Sequence, residues 1–204
     1  MTKTISFPHM ADYYMPIKTF LSRTTKLKVK PAPTITKKTI TLGAKYAPDS
    51  VCLPFKYNLG NFIESLEDGA NILFTAGGGC RYRYYAEITE TILKDLGYDF
   101  KFYNLISNGK LKITKVYKEF KELNPNLKFT YFIHQLLYTL LFIWNMDKID
   151  KIIRLRIGFE IEKDSYIKEK KRMLKDFTST SSIIKMYYYY FKHKKLTKKI
   201  PYAK

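Results

Sequence analysis

The sequence predicts an α/β fold: a parallel, Rossmann-like sheet with flanking helices over residues 1–107, followed by an all-helical segment over 108–204. Short apolar runs alternate with longer segments of helical periodicity as far as residue 107, a pattern typical of parallel strands joined by helices. Prolines and glycines stand where those helices would begin and end. After Ser107-Asn108-Gly109 the strand-like runs stop.

The first elements are two short strands, each followed by a helix. A helix over 12–22 follows the first strand, with Asp12 as a candidate N-cap. The second helix, over about 36–44, follows a rigid PAPTIT connection in which Thr34 or Thr36 could be the cap. The predicted strands are 3–7 (KTISF) and 27–31 (LKVKP).

The next three elements complete the predicted sheet. Pro54 suits the first turn of a helix whose apolar residues repeat at helical spacing until Gly69. Residues 71–76 (NILFTA) form an apolar run, which indicates a strand buried on both faces. A glycine turn, a helix ending at Gly97 and a strand over 100–105 follow.

The second half is predicted to be helical. Residues 129–146 reach the length of a membrane span, but His134 and Gln135 near the middle favour a buried or partner-facing helix. The last twenty residues, which include His193, have the composition of a basic extension, and the sequence assigns that histidine no specific role. The predicted helices are 111–123, 127–146, 148–172 and 180–192.

The chain has a formal net charge of +19, of which +13 falls within residues 111–204. A basic half is typical of proteins that bind nucleic acid, an anionic membrane surface or a phosphate-bearing ligand. Tyr187–Tyr190 beside Lys192, Lys194 and Lys195 mixes aromatic and cationic side chains as single-strand binders do, although a helix end packing on a partner has the same composition. Abundant Lys, Ile, Tyr, Phe and Asn are also typical of an AT-rich genome.

Two cysteines occupy similar predicted positions. Cys52 lies just before Pro54 at the start of one helix, and Cys80 follows a buried strand and three glycines at the start of another. Loops at the carboxyl ends of parallel strands are where α/β sheets bind ligands, and a helix N-terminus stabilises a thiolate. The two thiols are therefore candidate metal ligands, although free cysteines are also common core residues.

Further candidates surround these cysteines. The backbone amides of Gly77, Gly78 and Gly79 could donate hydrogen bonds to sulfide or phosphate. Arg81 could hold an anion. His9, which follows the first strand, could line the same ligand-binding edge of the sheet or serve a purely structural role. The sequence has no CxxC pair, no phosphate-loop motif, and no Ser/His/Asp or paired-carboxylate arrangement, so no catalytic residue is assigned.

Three successive blocks of the sequence carry a family resemblance: ISFPHMADYYMPIK, PAPTITKKTITLGAKYAPDSVCLPFKYNLGNFIESLEDGANILFTAGGGCRYRYYAEI and ILKDLGYDF. They resemble the 2-hydroxyacyl-CoA dehydratase family, nearest to its 2-hydroxyglutaryl-CoA dehydratase D-component-like and CoA-substrate enzyme activase-related branch. The resemblance runs through about residues 3–105 in order, spacing and motif, and it fades beyond 110.

The resemblance implies a cytoplasmic iron–sulfur protein of anaerobic metabolism. Cys52 and Cys80 match the family's ligands to a [4Fe–4S] or double-cubane cluster, which receives electrons from an ATP-dependent activator protein and passes them to an acyl-CoA substrate. Relatives continue into a second α/β domain that supplies more cysteine, so the chain resembles a lyase component that is incomplete alone. A second α/β domain, a homodimer mate or a partner subunit would complete the cluster site.

The alternative from another functional class is a non-enzymatic interaction or regulatory fragment, in which the basic helical half binds nucleic acid or an acidic partner. The basic residues form no single clean stripe, which favours an AT-rich genome as the origin of the charge, and nucleic acid is not an expected partner.

Overall fold

The computed structural model describes residues 2–76, 84–106 and 112–203. The chain divides into two compact units. The sheet unit comprises Met1–Tyr14 and Leu21–Lys128, and the helical unit comprises Met15–Phe20 and Phe129–Lys204. The sequence placed a boundary after residue 107, whereas residues 112–128 pack with the sheet unit.

The described strands of the sheet unit form one four-stranded parallel sheet with the order β2-β1-β3-β4. Ile72, Leu73 and Phe74 of β3 are almost inaccessible to solvent, as the apolar run in the sequence predicted. The predicted fold class, a parallel α/β sheet followed by helices, is confirmed. The strands are β1 Thr4–Ser6, β2 Lys28–Val29, β3 Ile72–Thr75 and β4 Lys101–Asn104.

Five described helices belong wholly or partly to the sheet unit. Thr36 caps α2: its hydroxyl accepts a hydrogen bond from the backbone N–H of Thr39, and the Thr39 hydroxyl pairs with the N–H of Thr36. The prediction that Asp12 caps α1 is wrong, because residues 10–13 form a turn first and the helix starts two residues later. The helices are α1 Tyr14–Thr25, α2 Lys37–Tyr46, α3 Leu53–Glu67, α4 Tyr85–Asp95 and α5 Ile113–Leu123.

Helices α3 and α4 end at the glycines that the sequence singled out. Gly69 and Gly97 have φ angles of +87° and +83°, which side chains with a Cβ rarely adopt. Each glycine follows the last turn of its helix and turns the chain toward the next strand.

Helices α2 and α3 approach each other at backbone distance. A Cβ added to Gly43 would lie 1.6 Å from the Lys56 carbonyl oxygen, and one added to Gly60 would lie 2.0 Å from the Thr39 carbonyl oxygen. Beside this crossing, the buried Thr39 hydroxyl donates to Glu64 Oε2 at 2.7 Å. The two glycines thus allow α2 to pack directly on the helix that carries Cys52 at its start.

Polar contacts fix the direction of α3 against β1. The Ser6 hydroxyl donates to Ser65 Oγ at 2.9 Å, and the His9 backbone N–H donates to Asn61 Oδ1 at 3.0 Å. Thr4, at the start of β1, contacts Asn71, which follows α3. Helix α3 therefore runs antiparallel to β1, and its N-terminus lies toward the carboxyl edge of the sheet.

The helical unit is built from three long helices. α6 continues to residue 156 and is followed by a single 3₁₀ turn, so the predicted helix over 148–172 is wrong. Residues 183–199 form a packed helix with four buried residues rather than a loose basic extension. The helices are α6 Phe129–Arg156, α7 Ser165–Ser179 and α8 Ile183–Lys199.

The apolar stretch over 129–146 lies in α6, where Phe132, Tyr138 and Phe142 are fully buried. The Tyr138 hydroxyl donates to the Phe177 carbonyl oxygen of α7 at 2.5 Å. This agrees with the prediction of a buried helix. Across the described residues, no helix has both the length and the apolar character needed to cross a membrane.

Candidate functional site

The sheet has a topological switch point between β1 and β3. From β1 the chain crosses to β2 on one side, and later returns to place β3 on the other side. Parallel α/β sheets bind ligands at the carboxyl edge of such strands, because the loops after them diverge and leave a crevice. His9 follows β1 at this edge, and residues 76–84 follow β3.

Cys52 is the N-cap residue of α3 and has an extended backbone. Its thiol is free and exposed, and within the residues that the structure describes it makes no capping hydrogen bond. Pro54 in the first turn fixes the start of the helix, as the sequence predicted. The thiol is therefore open to a ligand that approaches the start of α3 from solvent.

The Cys52 sulfur lies 2.9 Å from the hydroxyl of Tyr85, the first residue of α4. The Tyr85 ring packs edge-on against the buried ring of Phe55, with 4.9 Å between the centroids, and this contact holds the hydroxyl toward the sulfur. The start of α3 and the start of α4 therefore meet at Cys52. Sequence reasoning missed Tyr85, because nothing in the spacing of the chain pairs it with residue 52.

Cys80, Gly77, Gly78, Gly79 and Arg81 lie outside the described residues. The described chain on either side of them is the end of β3 at Thr75 and the start of α4 at Tyr85. Tyr85, the contact of Cys52, is thus five residues after Cys80 in the sequence.

His9 lines a separate cavity of about 460 Å³ at the end of β1. Its ring lies 5.5 Å from the Tyr14 ring, and its backbone N–H is held by Asn61. Within the described part of the chain, no hydrogen bond or ring contact joins His9 to Cys52. The cavity is lined by His9, Ala11, Asp12, Tyr14, Pro31, Ala32 and Thr34.

The residues present fit part of an iron–sulfur site and not a whole one. The sequence contains two cysteines, and cubane clusters are held by three or four protein thiolates. Among residues 2–76, 84–106 and 112–203, no three His, Cys, Asp or Glu side chains are grouped so that they could hold a metal ion. The two cysteines of one chain therefore do not complete a cubane site.

A second cluster of ionisable groups lies inside the helical unit around His193, which is 1% exposed. Its Nδ1 lies 2.7 Å from Glu169 Oε1, and its Nε2 lies 2.9 Å from Asp176 Oδ2. Each ring nitrogen of His193 therefore lies within hydrogen-bond distance of a carboxyl oxygen. The sequence analysis assigns this histidine no role, whereas its two contacts join α8 to α7. We name His193, Glu169, Asp176 and Lys192 the His193 cluster.

We expect the His193 cluster to lose stability in acid. Burial raises the pKa of the Asp176 carboxyl, but hydrogen bonds from Lys192 and His193 outweigh burial and bring the pKa below its ordinary value. A lowered carboxyl pKa contributes stability that is present above the ordinary value of about 3.9 and is lost as the pH falls through the lower folded value. Urea unfolding of wild type and Asp176→Asn between pH 7 and 3 measures how the contribution of Asp176 to the free energy of unfolding depends on pH.

The difference in free energy of unfolding between wild type and Asp176→Asn should be largest near neutral pH and should shrink below about pH 4. A difference that grows on acidification would contradict the ion pairing of Asp176.

Comparison of the chain with protein-family models, curated proteins and solved structures finds no match.

Proposed function

We propose that the sheet unit is the iron–sulfur cluster-binding module of a cytoplasmic 2-hydroxyacyl-CoA dehydratase-like system, or of a related low-potential reductase system. The proposal is supported by the resemblance over residues 3–105 and by one structural observation. Cys52 is an exposed free thiol at the start of α3, and it contacts the first residue of α4, the helix that follows the GGGC sequence.

In this proposal Cys52 and Cys80 are thiolate ligands of iron. When bound, the cluster supplies a centre that takes up and passes on one electron at a time at low potential. The chain's own residues hold it: α3 directs a free thiol to the carboxyl edge of the sheet, and Tyr85 sits within hydrogen-bond distance of the sulfur. Hydrogen bonds to ligating sulfurs tune the potential of such clusters.

The remaining ligands come from another domain, from a partner subunit or from a second copy of the chain. Two copies would supply four thiolates, enough for one [4Fe–4S] cluster. An ATP-dependent activator protein as electron donor and an acyl-CoA as substrate belong to the same proposal. The chain would then be a component of a lyase rather than a lyase by itself.

Anaerobic reconstitution with iron and sulfide tests the proposal. With a second copy as the source of the remaining ligands, we expect the wild-type chain to bind iron and sulfide, to show visible absorption with an EPR signal after reduction, and to elute as a dimer when loaded. Cys52→Ser and Cys80→Ser should each lower bound iron to the level of the cysteine-free double variant, because each removes half of the thiolates that one chain provides.

Leu53→Ala is the matched control, since Leu53 is exposed and adjacent to Cys52 but carries no metal donor. It should bind as much iron as the wild type. Iron uptake that is the same in the wild type and in the cysteine-free variant would contradict the proposal.

A further inference from the structure

The outward face of α8 carries apolar and basic side chains together. Ile184, Tyr188 and Phe191 are 83%, 65% and 62% exposed, and they repeat at intervals of four and three residues along one side of the helix. The opposite side, which includes Tyr190 and His193, is buried. Lys195 and Lys199 continue the outward line toward the C-terminus of the helix.

The same helix has an unbalanced charge. Residues 183–199 include six lysines and no acidic residue. Within the described part of the chain, Lys185, Lys195, Lys198 and Lys199 form no ion pair, whereas Lys192 is paired with Asp176. A helix face with exposed apolar side chains in line with unpaired lysines complements a partner that presents an anionic outer layer over an apolar interior.

We propose that this outward face, which we name the α8 face and define as Ile184, Tyr188, Phe191, Lys195 and Lys199, binds the surface of an anionic lipid bilayer. Ile184, Tyr188 and Phe191 enter the boundary between headgroups and acyl chains, and the lysines pair with anionic headgroups. The helix lies on the membrane and does not cross it. This inference concerns the helical unit and does not depend on the cysteines.

Charge and shape select the bilayer over two other occupants. A second copy of the chain docked through the same face would bring two lysine-rich helices with no acidic residue against each other, which opposes association through this face. Single-stranded nucleic acid could stack on the exposed rings of Tyr188 and Phe191, whereas a bilayer buries Ile184 together with both rings. The most exposed member of the face, Ile184, offers no ring for stacking.

Vesicle flotation with the full chain tests the inference. We expect binding to vesicles of phosphatidylcholine mixed with phosphatidylserine, no binding to phosphatidylcholine alone, and release at high salt. Ile184→Ser with Phe191→Ser should weaken binding to the anionic vesicles by about tenfold or more, because two apolar side chains no longer enter the bilayer. Lys195→Gln with Lys199→Gln should weaken it by about tenfold or more.

Matched controls separate these effects from general changes in charge and polarity. Lys112→Gln with Lys118→Gln removes the same charge from exposed positions of the sheet unit, and Leu137→Ser with Leu155→Ser removes two exposed apolar side chains of α6. Both double variants should bind the anionic vesicles within about twofold of the wild type. Far-ultraviolet circular dichroism checks that all four double variants remain folded.

Three outcomes would overturn the inference. The first is a wild-type chain that does not float with anionic vesicles or floats equally with neutral ones. The second is equal binding of the α8-face variants and their controls. The third is displacement of the wild-type chain from the vesicles by an oligothymidylate, together with weaker binding of that oligothymidylate to the α8-face variants. This result would make nucleic acid the ligand of the α8 face. Cys52→Ser should leave vesicle binding unchanged. The vesicle experiment therefore tests membrane binding independently of the iron–sulfur proposal.

Discussion

Gly60→Ala is expected to unfold the sheet unit or to lower its free energy of unfolding by about 3 kcal/mol or more. A Cβ at this position would lie 2.0 Å from the Thr39 carbonyl oxygen. The obstacle is helix backbone rather than the flexible end of a side chain, so α2 and α3 would have to move apart. That movement would also pull the Thr39 hydroxyl away from the buried Glu64 carboxylate.

Gly43→Ala should have a similar effect, because its Cβ would lie 1.6 Å from the Lys56 carbonyl oxygen. Gly158→Ala is the matched control: nothing lies within 4 Å of its Cβ position, and the change should alter the free energy of unfolding by less than about 1 kcal/mol. Urea unfolding followed by circular dichroism measures all three. A Gly60→Ala protein as stable as the control would contradict the backbone contact between α2 and α3.

His193→Ala is expected to lower the free energy of unfolding of the helical unit by about 3 kcal/mol or more. The change leaves the Glu169 carboxyl group buried without the ring nitrogen that lies 2.7 Å from it. Arg172 remains near Glu169 at 3.6 Å, but its side chain is mostly in solvent and compensates less. His193→Ala also leaves a cavity at a fully buried position beside the Phe177 ring.

A double replacement distinguishes the lost charge from the lost volume. His193→Leu with Glu169→Leu removes both partners and should recover most of the stability, since a buried ion pair can be replaced by apolar groups at little cost. Asp176 keeps its hydrogen bond from Lys192 in that variant. His134→Ala, at a half-exposed position of α6, should cost less than about 1 kcal/mol. A loss from His193→Ala no larger than this control would contradict the role of the His193 cluster.

The fold was predictable where local signals and burial agree. The apolar run before Gly77 predicted β3, and Pro54, Gly69 and Gly97 marked helix ends that the structure confirms. These features act within one or two turns of chain, so the residues themselves determine them. The predicted helix over 148–172 was wrong because the residues before and after Gly158 both have helical periodicity. Periodicity alone does not show where one helix stops and the next begins.

The contacts of the candidate site were not predictable in the same way. Cys52 could be placed at a helix start, but its contact with Tyr85 depends on how α3 and α4 pack, across 33 residues of chain. The burial of His193 has the same origin: a lysine-rich sequence suggests an exposed residue, whereas two carboxyl groups on α7 satisfy both ring nitrogens inside the unit. Such long-range pairing leaves no periodic signal in a single sequence.

The most direct test of the iron–sulfur proposal is alkylation of both cysteines, read by mass spectrometry of the reconstituted protein under anaerobic conditions. If Cys52 and Cys80 are ligands, both should be protected from iodoacetamide while iron is bound and should both react after the iron is chelated. Alkylation of Cys52 at the same rate with and without bound iron would contradict the proposal.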